Sequence, residues 1–264
     1  RIYRAKGRPD FNPLIVHVPD LAAAERLARF DERAPALAAA FWPGPLTLVL
    51  PLREGAALAP AVTAGLDTVA LRCPAHPAMR AVLDATGLPL AAPSANRSGA
   101  VSPTRAAHVA ASLGERVDLI LDGGACEAGL ESTIVALRAD GTWQVLRPGP
   151  LPESRISAIL GSSPHAVASA AIEAPGQLAS HYAPGKPVRL DARVSGADEF
   201  HIGFGPVPGN WNLSPSGDLL EAAANLYEGL HRAAAATQAR VAVAPVPDEG
   251  VGAAINDRLR RAAA

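Results

Sequence analysis

Leu88-Pro89-Leu90-Ala91-Ala92-Pro93-Ser94-Ala95-Asn96-Arg97-Ser98-Gly99-Ala100-Val101-Ser102-Pro103-Thr104 reads as a short buried strand, a polar loop and the start of a helix. Leu88–Ala92 is the strand. Ser102 precedes Pro103 as an N-cap precedes an N1 proline, which predicts a helix over 103–113. A loop that leaves a buried strand and enters a helix is where open α/β sheets hold ligands. The amide groups and dipole at that helix start favour an anion.

Outward from this unit the same rhythm continues. Towards the N-terminus lie a helix over 77–85 closed by Gly87, strands at Thr68–Arg72 and Leu46–Leu50, a helix from Asp20, a strand at Leu14–Val18 and a short helix over 1–6. Towards the C-terminus an apolar strand is expected at Val117–Leu121. Ser132–Leu137 and Thr142–Leu146 flank Asp140-Gly141, a hairpin signal. Apolar runs alternating with Ala-rich segments of helical period define an α/β protein. The rhythm fails over 161–187, read as a linker, and restarts with strands near 188–190, 200–204 and 240–244 and helices near 217–233 and 252–263. The expected division is therefore 1–160, a linker at 161–187, and a small α/β domain at 188–264.

Composition agrees with a globular chain. Its 264 residues carry 24 Lys+Arg against 25 Asp+Glu, a net charge of −1, with 49% hydrophobic residues, which excludes a disordered tail or a polybasic arm. The 23 glycines and 25 prolines cluster between apolar runs and predict many shaped loops. No run approaches the roughly 18 apolar residues of a membrane span, and Arg1-Ile2-Tyr3-Arg4-Ala5-Lys6 is no secretory signal. A cytoplasmic protein is expected. Cys73 and Cys126 are far apart without a CxxC or His-rich partner, so both are expected as buried free thiols. Arg1 opens in what reads as mid-helix with no initiator Met, and a missing N-terminal segment is expected.

Four clusters can carry chemistry. Arg1, Arg4, Lys6 and Arg8 stand together without an acid, and a Lys-x-Arg pair at a helix end offers a point charge and a planar fork to phosphate or carboxylate; a solvated basic helix face is the plain alternative. Ser94 and Asn96 follow the strand, although turn chemistry alone also explains Ser-x-Asn-x-Ser-Gly. Asp122-Gly123-Gly124 through Gly129-Leu130-Glu131-Ser132-Thr133 sets flexible backbone and hydroxyls at strand ends, and a plain loop explains it equally well. Arg147-Pro148-Gly149 adds a guanidinium. Gly203-x-Gly205 and Pro184-Gly185-Lys186-Pro187 complete no nucleotide fingerprint.

In their order, Lys6-Gly-Arg8-Pro9-x-x-Asn12-Pro-Leu-x-x-His17, Pro43-Gly-Pro-Leu-Thr47, Ser94-Ala-Asn96-x-Ser-Gly-x-x-Ser102-Pro-Thr and Glu131-Ser-Thr-Ile with Leu146-Arg-Pro-Gly149 resemble the YrdC-type L-threonylcarbamoyladenylate synthases. Pro175-Gly176, His181-Tyr182-Ala-Pro and the closing Gly252-Ala-Ala-Ile-Asn-Asp-Arg-Leu259 are similar to their two-domain (Sua-type) branch. The resemblance implies a YrdC-like twisted mixed sheet with helices, then a linker and a small Rossmann-like domain. It implies formation of threonylcarbamoyl-AMP and pyrophosphate from ATP, L-threonine and bicarbonate with Mg²⁺, for tRNA modification. It also implies tRNA or the downstream threonylcarbamoyl transferase as a partner, and no membrane. Lys6, Arg8, Ser94 and Asn96 are then expected to be catalytic. ATP would be held by these and by Asn12, Thr68, Ser102, Arg147 and Tyr182, with the 161–187 linker as a lid. L-threonine would be held by His17, Arg72, Ser132 and the main chain of Ala92. The resemblance places the family's threonine loop before Lys-x-Arg, in the N-terminal segment expected to be missing, and Ala174 and Leu178 stand where the linker is often more polar. A non-catalytic RNA-binding or ribosome-associated module of this fold, and a carbamoyl-transferring relative, are the alternative readings.

Overall fold

The computed structural model describes residues 1–165 and 172–264. Its elements run α1 (Ile2–Lys6), β1 (Ile15–His17), α2 (Leu21–Glu25), α3 (Arg33–Phe41), β2 (Leu46–Pro51), α4 (Pro60–Thr63), β3 (Thr68–Arg72), α5 (Pro77–Thr86), β4 (Leu90–Ala91), α6 (Ala106–Leu113), β5 (Thr133–Leu137), β6 (Trp143–Arg147), α7 (Glu153–Leu160), β7 (Val188–Arg189), β8 (Glu199–Gly203), β9 (Trp211–Asn212), α8 (Leu219–Ala235), β10 (Arg240–Val243) and α9 (Gly252–Ala263).

These elements pack as two compact units that the chain enters in turn. One comprises 9–93 and 132–177; the other comprises 1–8, 94–131 and 178–264. The first, the sheet unit, holds a six-stranded sheet in the order β4-β1-β3-β2-β5-β6. β1 with β3 and β2 with β5 are parallel, while β1 with β4, β2 with β3, and β5 with β6 are antiparallel. The mixed pairing is the expected one. β1 and β5 are buried at every position because both faces are covered. Ile15, Val49, Ala70, Ile134, Ala136 and Ala174 form one face of its core. Helix α5 starts on Pro77 and stops where Gly87 turns left-handed and its N–H reaches Leu83 O, the stop that glycine permits without a Cβ penalty.

The second unit contains the four-stranded sheet β7-β10-β8-β9, parallel throughout. Helices α8 and α9 belong to it, with α1 and α6. Asp218 caps α8 by accepting from Leu220 N and Glu221 N, both at 2.8 Å. Along α8, Ala222, Leu226, Tyr227, Leu230 and Ala233 recur at helical spacing and are buried. Their core also takes in Val101, Tyr182, Phe200, Ile202 and Leu213.

Several sequence expectations are corrected here. Val117–Leu121 is not a strand: Leu119 and Leu121 are exposed and the run is loop, since an apolar run without a pairing partner cannot satisfy its amides as β-structure. β4 is a two-residue edge strand with half-buried side chains rather than a buried one. The helix after it begins at Ala106 behind Arg105, without a side-chain cap. Ser102 is therefore not an N-cap, and no helix start lies beside it to favour an anion. Residues 103–105 stay out of the helix, and the serine hydroxyl bonds to Glu131 instead of to a helix amide. Cys73 is buried as expected, but Cys126 is exposed, in the same loop that fails to form a strand. Helices α3, α4 and α7 and strand β9 were not expected; α3 is Ala-rich with Pro35 in its first turn, which obscures its period. Residues 172–187 carry no helix or strand, and within the expected linker the chain passes from one unit to the other between 177 and 178. Its positions 166–171 lie outside the described residues.

Candidate functional site

The predicted residues fall into two groups, one in each unit. Lys6, Arg8, Ser94, Asn96, Ser102 and Tyr182 belong to the unit of α8 and α9. Asn12, His17, Thr68, Arg72, Ala92, Ser132 and Arg147 belong to the sheet unit.

In the first group, helix α1 ends at Gly7, and Lys6 lies in its last turn. Its ammonium is buried and enters the 94–101 loop. Nζ donates to Ser94 O at 2.6 Å, to Asn96 Oδ1 at 3.3 Å and to Asn96 O. Asn96 in turn donates from Nδ2 to Ala100 O at 2.9 Å and to Val101 O at 3.2 Å. Lysine and asparagine therefore staple the loop into a cradle, and Ser98 N adds a bond back to Lys6 O at 2.9 Å. Burial, and then the nearby Arg8 charge, lower the Lys6 pKa to about 8. Arg8 is itself buried. The basic pair is not a solvated helix face, whereas Arg4 on the same helix is exposed.

The end of the linker at Ala183 pairs with this loop. Ala183 N donates to Gly99 O at 2.9 Å and pairs with Ala100 as an isolated parallel bridge. Tyr182 holds a left-handed φ of 63° and is buried, its ring 5.5 Å from that of Tyr227. Leu178 O accepts from Arg261 Nη1, and His181 N donates to Arg261 O at 3.0 Å, so the segment is stitched to α9 as well.

In the sheet unit, His17 and Arg72 are register partners on β1 and β3. Desolvation first, then the Arg72 charge, lower the His17 pKa to about 4. The ring is neutral at pH 7, and its buried Nδ1 finds no hydrogen-bond partner among the described residues. Arg72 is half-buried, with Nε donating to Gly44 O at 3.0 Å in the Pro43-Gly44-Pro45 turn. Ala92 N donates to Ile15 O at 3.1 Å, so this residue continues the edge pairing of β4. Ser132 is buried, its hydroxyl 2.7 Å from that of Thr47. Arg147 donates from Nε at 3.1 Å and from Nη2 at 3.0 Å to Ser132 O, from Nη2 to Ser132 Oγ at 3.2 Å, and from Nη1 to Pro175 O at 3.3 Å. In this structure Arg147 braces the ends of two segments. Thr68 is half-buried at the start of β3, and Asn12 is buried in the turn after Pro9. A separate open cavity of about 560 Å³, lined by Arg138, Asp140, Thr142, Gln144, His165 and Glu173, shares none of the predicted residues.

Sequence reasoning passed over Glu131, Tyr227, His231 and Arg258. Glu131 accepts from Ser102 Oγ, Tyr227 OH and Arg258 Nε at 2.6, 2.8 and 3.1 Å. Glu131 and Arg258 stand inside quoted motifs, Glu131-Ser-Thr-Ile and Asn-Asp-Arg-Leu, but nothing local to either motif signals that the two pair.

Residues 1–149 match the family described as "Telomere recombination", and residues 151–264 match "Threonylcarbamoyl-AMP synthase, C-terminal domain". The threonylcarbamoyl-AMP synthase of Bacillus subtilis is 38% identical over 100% of this chain and 82% of its own length. That of Pyrococcus abyssi is 35% identical over 99% of this chain and 83% of its own length. A crystal structure of the Pyrococcus abyssi protein complexed with L-threonine superposes with a TM-score of 0.89 at 35% identity, over 100% of this chain and 83% of that one. With both domain families matched in order and relatives aligned along its whole length, the chain belongs to the two-domain threonylcarbamoyl-AMP synthase family.

Proposed function

We propose that the chain condenses ATP, L-threonine and bicarbonate into threonylcarbamoyl-AMP, releasing pyrophosphate, and that the product goes to a transferase that modifies tRNA. The carrying observation is the buried Lys6 bonded into the Ser94–Val101 cradle, with buried Arg8 as its neighbouring charge, in a chain that matches the synthases along its full length. The reaction needs no covalent nucleophile. The threonine amine attacks bicarbonate with loss of water, and a carbamate oxygen then displaces pyrophosphate from the α-phosphorus. Positioning and charge neutralisation supply the rate.

In this reading an incoming triphosphate takes the Lys6 ammonium from carbonyl acceptors to phosphate oxygens, which favours its charged form. Arg8 adds a second cation. Ser94 and Ser102 contact the nucleotide, and Asn96 keeps the loop in shape. Tyr182 and the linker close beside the cradle and exclude water from a labile carbamate. In the sheet unit, Arg72 pairs with the threonine carboxylate, and neutral His17 accepts from the amine through Nδ1. Ser132 and the Ala92 main chain complete the amino-acid contacts. The resemblance assigns Asn12, Thr68 and Arg147 to the nucleotide, and these also belong to the sheet unit. Mg²⁺ would arrive with the triphosphate and neutralise phosphate charge. Among the described residues no group of three or more His, Cys, Asp or Glu forms a cage for it, and a nucleotide-borne Mg²⁺ needs none. Along the chain we keep 1–160 as the catalytic segment, 161–187 as linker and 188–264 as the terminal domain. Among the described residues no helix is long and apolar enough to cross a membrane.

Pyrophosphate release, measured with each substrate omitted in turn, tests the reading. Release that requires ATP, threonine and bicarbonate together is expected. Release unchanged without threonine would overturn it.

A further inference from the structure

The closing motif of the chain has no role in the function proposed above, yet its arginine is the most deeply buried charge described. Arg258 is fully buried. Its Nε donates to Glu131 Oε2 at 3.1 Å and its Nη1 to Asp257 Oδ2 at 2.6 Å, while Nη2 has no hydrogen-bond partner among the described residues. Its guanidinium lies 5.3 Å from the centre of the Tyr182 ring. Burying such a pair is costly, and an apolar replacement often serves stability equally well. A role in specifying geometry accounts for its presence.

That geometry converges on Ser102. Tyr227 OH donates to Glu131 Oε2 at 2.8 Å and Ser102 Oγ donates to Glu131 Oε1 at 2.6 Å. The main chain of the same serine is held separately, since Ser102 O accepts from His231 Nε2 at 3.0 Å. An ionised carboxylate only accepts hydrogen bonds, so the single hydroxyl proton of Ser102 is committed to Glu131. What Oγ can offer a ligand is its lone pairs. A phosphate oxygen needs a donor and is repelled by a carboxylate one atom behind the serine. An N–H or O–H group of the nucleoside finds an acceptor.

We propose that Glu131, fixed by Tyr227 and Arg258 of the C-terminal segment, is a positioning residue that makes Ser102 a hydrogen-bond acceptor for a nucleoside donor, either a ribose hydroxyl or the adenine amine, and not a phosphate ligand. This rests on the reading that Ser102 faces the nucleotide.

The test is calorimetry on the whole protein with a non-hydrolysable ATP analogue and with inorganic tripolyphosphate. Ser102→Ala and Glu131→Gln should each weaken the ATP analogue about tenfold, the double variant should be no weaker than Ser102→Ala alone, and tripolyphosphate binding should stay within about twofold. Should Glu131→Gln not fold, Tyr227→Phe, which removes one hydroxyl, is expected to give a loss of about threefold that vanishes in the Ser102→Ala background. Loss of the Ser102→Ala effect with a deoxyribose analogue identifies a ribose hydroxyl as the donor, and loss with an inosine analogue identifies the amine. Persistence of the effect with all analogues, equal weakening of tripolyphosphate, or multiplying losses in the double variant would overturn the proposal. A wild-type protein that binds no ATP analogue would instead remove the nucleotide reading itself.

Discussion

Lys6 is the residue whose protonation the structure makes most informative. Its pKa of about 8 lies below the ordinary lysine value because the ammonium is desolvated and has Arg8 as neighbour. The folded chain therefore holds less than the unfolded chain's share of this proton between about pH 8 and pH 10.5. By linkage Lys6 burdens stability at neutral pH, and that burden is relieved as pH rises through this window. Its contribution to nucleotide binding runs the other way, since the ammonium is lost over the same range. ATP-analogue affinity should fall as pH rises above about 8, and Lys6→Arg, which cannot deprotonate there, should flatten the fall. An identical profile in both proteins would show that Lys6 does not meet the phosphates. His17 gives the acid counterpart. Its pKa is lowered from 6.5 to about 4 by burial and Arg72, so the stability it contributes is present above pH 6.5 and is lost as pH falls towards 4. His17→Gln should keep about 2 kcal/mol more of its neutral-pH stability at pH 4.5 than the parent does, read from denaturant midpoints. Equal acid losses would contradict the burial of a neutral ring.

At the scale of elements, two joints should dominate. Gly129 has φ +66° and no room for a side chain, because a Cβ would run into the main chain of Ala223 and Ala224 on α8. Both the backbone conformation and the contact forbid alanine. Gly129→Ala should cost more than about 2 kcal/mol; a melting temperature within two degrees or so of the parent would mean that the loop is not packed on the helix. Arg147 is the second joint, since Arg147→Met would leave Ser132 O and Pro175 O without their guanidinium donors. A cost of about 2–4 kcal/mol is expected, with neutral behaviour as the contrary result. These joints also explain what the sequence could and could not convey. Thr68–Arg72 and the β5–β6 hairpin were readable because each is a compact apolar run bounded by turn residues. Ser102-Pro103 misled because a local cap signal competes with a distant carboxylate, and no local pattern records Glu131. Val117–Leu121 misled because hydropathy registers an apolar run but not the absence of a pairing partner. Lys6, Arg8, Ser94 and Asn96 were readable as a group only through the order of their motifs, while the staple between Lys6 and Asn96 depends on a fold that brings residues 90 apart in sequence into contact.

For the whole molecule, order along the chain and order in space differ. The matched families meet between residues 149 and 151, yet 1–8 and 94–131 pack with 178–264, and Val101 and Leu130 share a core with α8 and α9. A chain ended at residue 150 should therefore lose ATP-analogue binding together with the support of its cradle, and full affinity in that truncated chain would contradict this packing. In the function proposed, this architecture builds a carbamoylated adenylate. Its most direct measurement supplies carbon-labelled bicarbonate with ATP and threonine and follows the label by mass spectrometry. Label is expected in one product carrying threonine and AMP, formed in step with pyrophosphate and lost with Arg8→Ala but not with Arg4→Ala. Pyrophosphate appearing with an adenylate free of labelled carbon would contradict it.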